Sequence, residues 1–120
     1  MTILMEENFK QLQVIDLDLG ARIVGGDREL AEEMIRLLVQ TLPELQTALT
    51  NAYQQHNATQ LLKAAHKLHG AASYSGTPRL KLAAKQLELI AKENNEEKLQ
   101  QAYQTLLTEI EAVQKTAMKS

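Results

Sequence analysis

Two histidines three residues apart stand in a stretch that contains no acid. His66 and His69 lie within Leu61 to Leu80, which reads L-L-K-A-A-H-K-L-H-G-A-A-S-Y-S-G-T-P-R-L. A neutral imidazole nitrogen is a good nucleophile near neutral pH, so an accessible histidine can take up an electrophilic group and hand it on. Apolar residues at Leu61, Leu62, Ala65, Leu68 and Ala72 follow helical spacing. His66 is one residue off that stripe, which predicts a ring at the border of the buried face, turned to solvent. Gly70 follows one turn later on the same face, with His69 beside it. A glycine inside a helix costs about 1 kcal/mol against alanine. Close approach of another molecule beside His66 would offset that cost. Lys63 and Lys67 flank the histidine and can supply positive charge to an anionic group. His66 and His69 could in principle share a metal ion, but no carboxylate lies on the same helix to complete the set. No metal is expected.

The elements that must position these residues are all helical. Asp16 is a plausible N-cap for a short helix through Val24, which Gly25-Gly26 stops. Asp27 then caps a long helix, with Glu29, Glu32 and Glu33 near the positive end of its dipole. Its apolar stripe reads Leu30, Met34, Leu37, Leu38, Thr41, Leu45, Ala48, Leu49 and Ala52. The pattern continues across Pro43, which predicts one kinked helix ending near Gln55. Asn57 or Thr59 starts the His66 helix, which runs to about Tyr74. Ser75-Gly76 breaks it, and Thr77-Pro78 restarts the chain with a hydroxyl cap and a proline at the first helical position. Leu80, Ala83, Ala84, Leu87 and Ala91 form the next stripe. A last helix from Glu96 buries Leu99, Ala102, Leu106, Ile110 and Val113. Tyr53, Tyr74 and Tyr103 are expected at the edge of the core. The fold expected is all-α: an antiparallel up-down four-helix bundle with a short additional N-terminal helix. Residues 1–14 read as a leader or linker and residues 15–118 as the bundle. His66 should then lie mid-helix on the outer face of the second long helix.

Bulk properties narrow the function classes. A chain of 120 residues suggests one domain, and 44% apolar content suffices for a core. Aromatics make up 3% and tryptophan is absent, which favours leucine and alanine packing between helices over a sheet. The absence of cysteine excludes disulfides and thiolate metal sites. No apolar run approaches the roughly 18 residues of a membrane span. Glu6 and Glu7, without a basic segment before them, do not read as a secretory signal. A cytoplasmic location is expected. The formal net charge is -2, but the distribution says more: all 15 acidic residues lie outside Leu45 to Leu87. That segment holds Lys63, Lys67, Arg79, Lys81, Lys85 and all three histidines. A surface without carboxylates suits an anionic group or an acidic partner. No stacking aromatics alternate with the basic residues, so nucleic acid is not expected as a partner. There is no Gly-x-x-x-x-Gly-Lys-Ser/Thr loop and no Gly-rich kinase loop, so neither a nucleotide site nor another cofactor is expected.

The run His66-Lys67-Leu68-His69-Gly70-Ala71-Ala72, followed by Gly76 and Arg79-Leu80, resembles the histidine phosphotransfer (HPt) domain of bacterial hybrid sensor histidine kinases. The family pattern is His-x-Leu-Lys-Gly-small-small, then a glycine and a leucine-bearing helix. The segment I-D-L-D-L-G-A-R-I-V-G-G-D-R-E-L is similar to the family's first helix and Gly-Gly-Asp turn. The resemblance covers roughly Ile15 to Val113. It implies that His66 is the phospho-accepting residue and Gly70 the glycine that admits the partner. The implied function is a phosphorelay carrier. A receiver-domain aspartyl phosphate donates to His66, and the aspartate of another receiver takes the group away. The metal and most catalytic groups would come from the receivers, and the chain would have no ATP-dependent kinase activity of its own. Lys63, Lys67, His69, Gly70 and Ser73 are the residues expected to meet the phosphoryl group or the docked receiver. The resemblance also implies a monomer, cytoplasmic or the C-terminal cytoplasmic domain of a membrane-bound hybrid kinase. His69 departs from the family, which usually carries lysine there. Lysine is charged throughout the physiological range, whereas imidazole titrates within it. His69 is therefore expected to reach the phosphoryl oxygens and tune the phosphorylated state. The alternative to a carrier is a non-catalytic helical adaptor.

Overall fold

A computed structural model of the chain describes residues 9–119. From Leu17 on, the described residues form five helices in order: α1 (Leu17–Ile23), α2 (Arg28–Gln54), α3 (Ala58–Ser73), α4 (Pro78–Ile90) and α5 (Glu96–Met118). No strand occurs among the described residues. The starts of four helices follow from their capping side chains. Asp16, Asp27, Asn57 and Asn95 each accept the backbone N–H three residues on, from Leu19, Leu30, Gln60 and Lys98, at 3.0 to 3.1 Å. Thr77 departs from this pattern. Its hydroxyl donates to the carbonyl of Ala72 instead, and α4 starts on Pro78, whose missing N–H leaves one fewer donor to satisfy. Short connections make successive long helices antiparallel. α2 packs on α3, α3 on α4, α4 on α5, and α5 back on α2, which closes a four-helix bundle with α1 laid against α2.

The core is mostly leucine. Leu42, Leu49, Leu68, Leu80, Leu87, Leu106, Ile110 and Val113 are fully buried. The chain passes through Pro43 without a break, so α2 is one helix of 27 residues, as the continuous apolar phase implies. The buried face of its first half differs from the expected stripe. Ala31, Ile35, Leu38 and Leu42 are inside, while Leu30 and Leu37 are 42% and 47% exposed and Thr41 and Ala48 face solvent. Apolar residues stand side by side at Leu30-Ala31 and Leu37-Leu38, so periodicity admits both faces. Packing selects one of them: the Ala31 methyl fits against Gly20 of α1. Tyr53 and Tyr103 stack with ring centres 3.8 Å apart, and the Tyr103 hydroxyl lies 3.3 Å from that of Thr50. Tyr74 does not join them. It is the C-cap of α3 and is 62% exposed, because the helix ends before it can turn inward.

Two contacts hold the N-terminal segment and the α3–α4 turn together. Gly76 has φ +62°, and a Cβ there would come within 2.6 Å of the Asp16 carbonyl oxygen. The Asp16 N–H donates to the Gly76 carbonyl at 2.8 Å. Only glycine allows α1 this close to the turn. Of the expected leader, residues 1–8 lie outside the described residues. From Phe9 on, the chain makes a helical turn at 9–11, and Phe9, Val14 and Ile15 pack against the core.

Candidate functional site

α3 presents its polar face outward because Leu61, Ala64, Ala65, Leu68 and Ala72 are buried on the other side. His66 is the ninth of its 16 residues, and its side chain is 74% exposed. One nitrogen is nonetheless held. His66 Nδ1 lies 3.0 Å from Oε2 of Glu88, a residue of α4. Glu88 is only 6% exposed. An ionised carboxylate only accepts hydrogen bonds, so this contact selects the tautomer with the proton on Nδ1. Nε2 of His66 then carries the lone pair.

His69 shares the same carboxylate. It lies one turn along α3, partly buried, with Nδ1 3.4 Å from Glu88 Oε1. That oxygen is buried and makes no hydrogen bond. The ring thus directs one nitrogen inward, towards α4, and not out over the surface beside His66. Its contact with His66 runs through Glu88.

Sequence reasoning missed Glu88, and set a metal aside because α3 carries no carboxylate. A signal was there. Glu88 is four residues after Ala84 and next to Leu87 on the buried stripe of α4, and an acid on an apolar stripe needs a partner. Which partner it finds depends on how α4 lies against α3.

The other candidates divide. Lys63 and Lys67 are exposed on α3 on either side of His66. At Gly70 a Cβ would meet nothing within 4 Å, so no internal packing demands the glycine. Its side of the helix is open. Ser73 is partly buried, and its hydroxyl donates to the His69 carbonyl at 2.7 Å, which leaves it an acceptor more than a donor. Lys81 and Lys85 of α4 line a shallow groove of about 420 Å³ with His69, Ser73 and Leu19. Arg79 does not belong to this basic surface. Its guanidinium is 3.0 Å from buried Glu109 of α5 and 4.7 Å above the Phe9 ring.

Residues 33–116 match the family profile of the Hpt domain. The chain belongs to the Hpt domain family. The sensor histidine kinase GacS of Pseudomonas protegens is 33% identical over 85 residues, 71% of this chain and 9% of that protein. The signal transduction histidine-protein kinase BarA of Escherichia coli K12 is 32% identical over 106 residues, 88% of this chain and 12% of that protein. The chain thus spans about a tenth of the length of these relatives. The crystal structure of the HPt domain from a Shewanella sensor hybrid histidine kinase superposes with a TM-score of 0.70 at 26% identity, covering 89% of this chain and 96% of that one. Hpt domains are the histidine phosphotransfer carriers of two-component phosphorelays, and receiver domains are their partners. The Hpt helices of this chain include none, among the described residues, that is long and apolar enough to cross a membrane.

Proposed function

We propose that His66 is the phosphoryl-carrying residue of this Hpt domain, that Nε2 is the reacting atom, and that Glu88 positions the ring and compensates its charge. One observation supports this most directly: an exposed imidazole whose Nδ1 is 3.0 Å from a buried carboxylate. Nε2 attacks the phosphorus of a receiver's aspartyl phosphate. The N–P bond forms as the P–O bond to the aspartate breaks, and the aspartate leaves as a free carboxylate. The proton on Nδ1 stays in place throughout. The phosphorylated ring therefore carries a positive charge, which the adjacent Glu88 carboxylate offsets. Transfer to a second receiver reverses the same steps. Lys63 and Lys67 favour the approach of the phosphoryl group and of an acidic docking surface. The open side of α3 at Gly70 admits the receiver. We further propose that the domain works as a monomer in the cytoplasm, as a segment of a hybrid kinase or beside one.

The test offers a phosphorylated receiver to the wild-type chain and to His66→Gln. Acid-labile, base-stable label is expected on the first and none on the second. Label on His66→Gln would overturn the assignment, and no label on either with any receiver would favour a plain adaptor. Gly70→Leu should block transfer while the melting temperature holds or rises, since leucine is the better helix former by up to about 0.8 kcal/mol. Unchanged transfer in that variant would give the glycine another purpose.

A further inference from the structure

We propose that His66, His69 and Glu88 form a binding site for a divalent transition metal of the zinc type, and that the bound ion and the phosphoryl group exclude each other. The second part rests on the carrier reading of His66; the first does not. The donor atoms of the three residues all lie within 4.8 Å of one another. His66 Nδ1 is 3.0 Å from Glu88 Oε2, and His69 Nδ1 is 3.4 Å from Oε1. Zinc–nitrogen and zinc–oxygen bonds of about 2.0 to 2.2 Å in a tetrahedron set neighbouring ligand atoms about 3.3 Å apart. The two distances run to different oxygens of the carboxylate, so each ring already stands at about that length from one of them. A turn of the carboxylate with small ring rotations brings both nitrogens to a single oxygen's ion. A turn of helix fixes the two imidazoles on one face.

The second observation is Glu88 itself. It is more than nine-tenths buried, and its Oε1, turned towards His69, has no hydrogen-bond partner. A buried polar atom without a partner calls for an explanation, and an ion between the carboxylate and the two rings supplies one. The donor set is two imidazole nitrogens and one carboxylate oxygen, which suits zinc, copper, nickel and cobalt. It does not suit magnesium, which takes oxygen ligands in octahedral geometry. The site would thus pass over the magnesium that receivers use. Because the His66 ring is exposed, a fourth coordination position faces solvent.

Exclusion follows from the ring's two nitrogens. Neutral imidazole has one proton and one lone pair. When Nδ1 binds a metal, the proton resides on Nε2, and Nε2 has no lone pair to attack phosphorus. When Nε2 carries phosphoryl, Nδ1 keeps its proton and cannot bind the metal. By linkage, phosphorylation must weaken metal binding by the factor by which metal weakens phosphoryl acceptance.

The experiment uses the untagged full chain, stripped with chelator, and zinc titrated against a chromophoric chelator. One zinc per chain in the low micromolar range is expected, with no response to magnesium. His69→Ala and Glu88→Ala should each weaken zinc by at least about tenfold, and His56→Ala, at the α2–α3 turn, should not. Circular dichroism melting of each variant confirms that it is folded under the titration conditions. No binding, or binding that ignores both His69→Ala and Glu88→Ala in folded protein, overturns the site. The rate of phosphoryl uptake is then measured with and without zinc, as a ratio for each protein and with one receiver. Wild type should lose uptake in step with occupancy, and His69→Ala should show a ratio near one at the same zinc concentration. Zinc bound without loss of uptake overturns the exclusion. Uptake in the stripped protein without any zinc binding sinks the metal site and leaves the carrier standing. Zinc binding that depends on His69, with no uptake at all, does the reverse.

Discussion

Glu88 and Glu109 are the same group in the same bundle, and both are buried, at 6% and 2% exposure. Each also has one buried oxygen with no hydrogen bond. They differ in what faces them. Glu109 meets the Arg79 guanidinium at 3.0 Å, and the same cation lies over the Phe9 ring, 4.7 Å from its centre. A guanidinium never gives up its proton in a protein, so that charge is compensated permanently. Glu88 meets two imidazoles, one exposed and one partly buried. An imidazole can be neutral, protonated, phosphorylated or metal-bound. The first pair ties α4, α5 and the segment around Phe9 together. The second leaves a buried anion beside groups whose state changes. A buried carboxylate with a permanent counter-charge is a structural device, and one with adjustable partners is a place for chemistry.

Three substitutions test that contrast. Arg79→Ala should have the largest effect. It strands the Glu109 carboxylate in the bundle, a loss of about 3 kcal/mol for a broken, mostly buried pair. Thermal melting should fall on the order of 10 °C. Phosphoryl uptake per folded molecule should stay near wild type. A melting temperature within a degree or two of wild type would mean that Glu109 is relieved some other way, and the structural half of the contrast would fail.

Glu88→Gln comes next and should act in the opposite sense. Glutamine still accepts the Nδ1–H of His66, so the ring keeps its orientation, while the charge that offsets the phosphorylated ring is gone. Uptake should slow about tenfold, or about 1.4 kcal/mol, the difference between a charge-assisted and a neutral hydrogen bond. Stability should hold or rise, because a buried charge has been removed. A large loss of stability with normal transfer would make Glu88 structural like Glu109.

Lys67→Glu should have the smallest effect. Lys67 is exposed on α3 beside His66, so reversing its charge should slow receiver association severalfold at low salt. The defect should shrink as salt screens the field. Lys115→Glu on α5, in the last turn of the bundle, is the control and should change little. If both respond alike in stopped-flow association, the acid-free segment has no steering role.

The bundle and the exposure of His66 were legible in the chain, and the buried Glu88 that its ring meets was not. Caps at Asp16, Asp27, Asn57 and Asn95 act within three residues, so the starts of four helices can be read from sequence. The exposure of His66 followed from its place one residue off the stripe of α3. The inward face of α2 was misread because Leu30 and Leu37 compete with Ala31 and Leu38, and only the covering by α1 separates them. Arg79 was grouped with the docking lysines by charge alone, although it sits against Glu109, 30 residues away. Tyr74 was placed at the core edge by type, but the end of α3 leaves it outside.

The sequence by itself determined the helices, their order, the outward histidine and the open glycine beside it. These depend on periodicity, caps and backbone freedom, and all of those operate over one or two turns. Tertiary structure alone decided that Glu88, 22 residues beyond His66, would lie beneath both histidines, and that Glu109 would take Arg79. The physical reason is range. A helix's stripe states that it must be covered, but not by which residue of its neighbour. The height at which α4 settles against α3 depends on the close fit of all the side chains between them. Since an acid, an imidazole and a guanidinium interact only over a few ångströms, their pairing is decided by that fit.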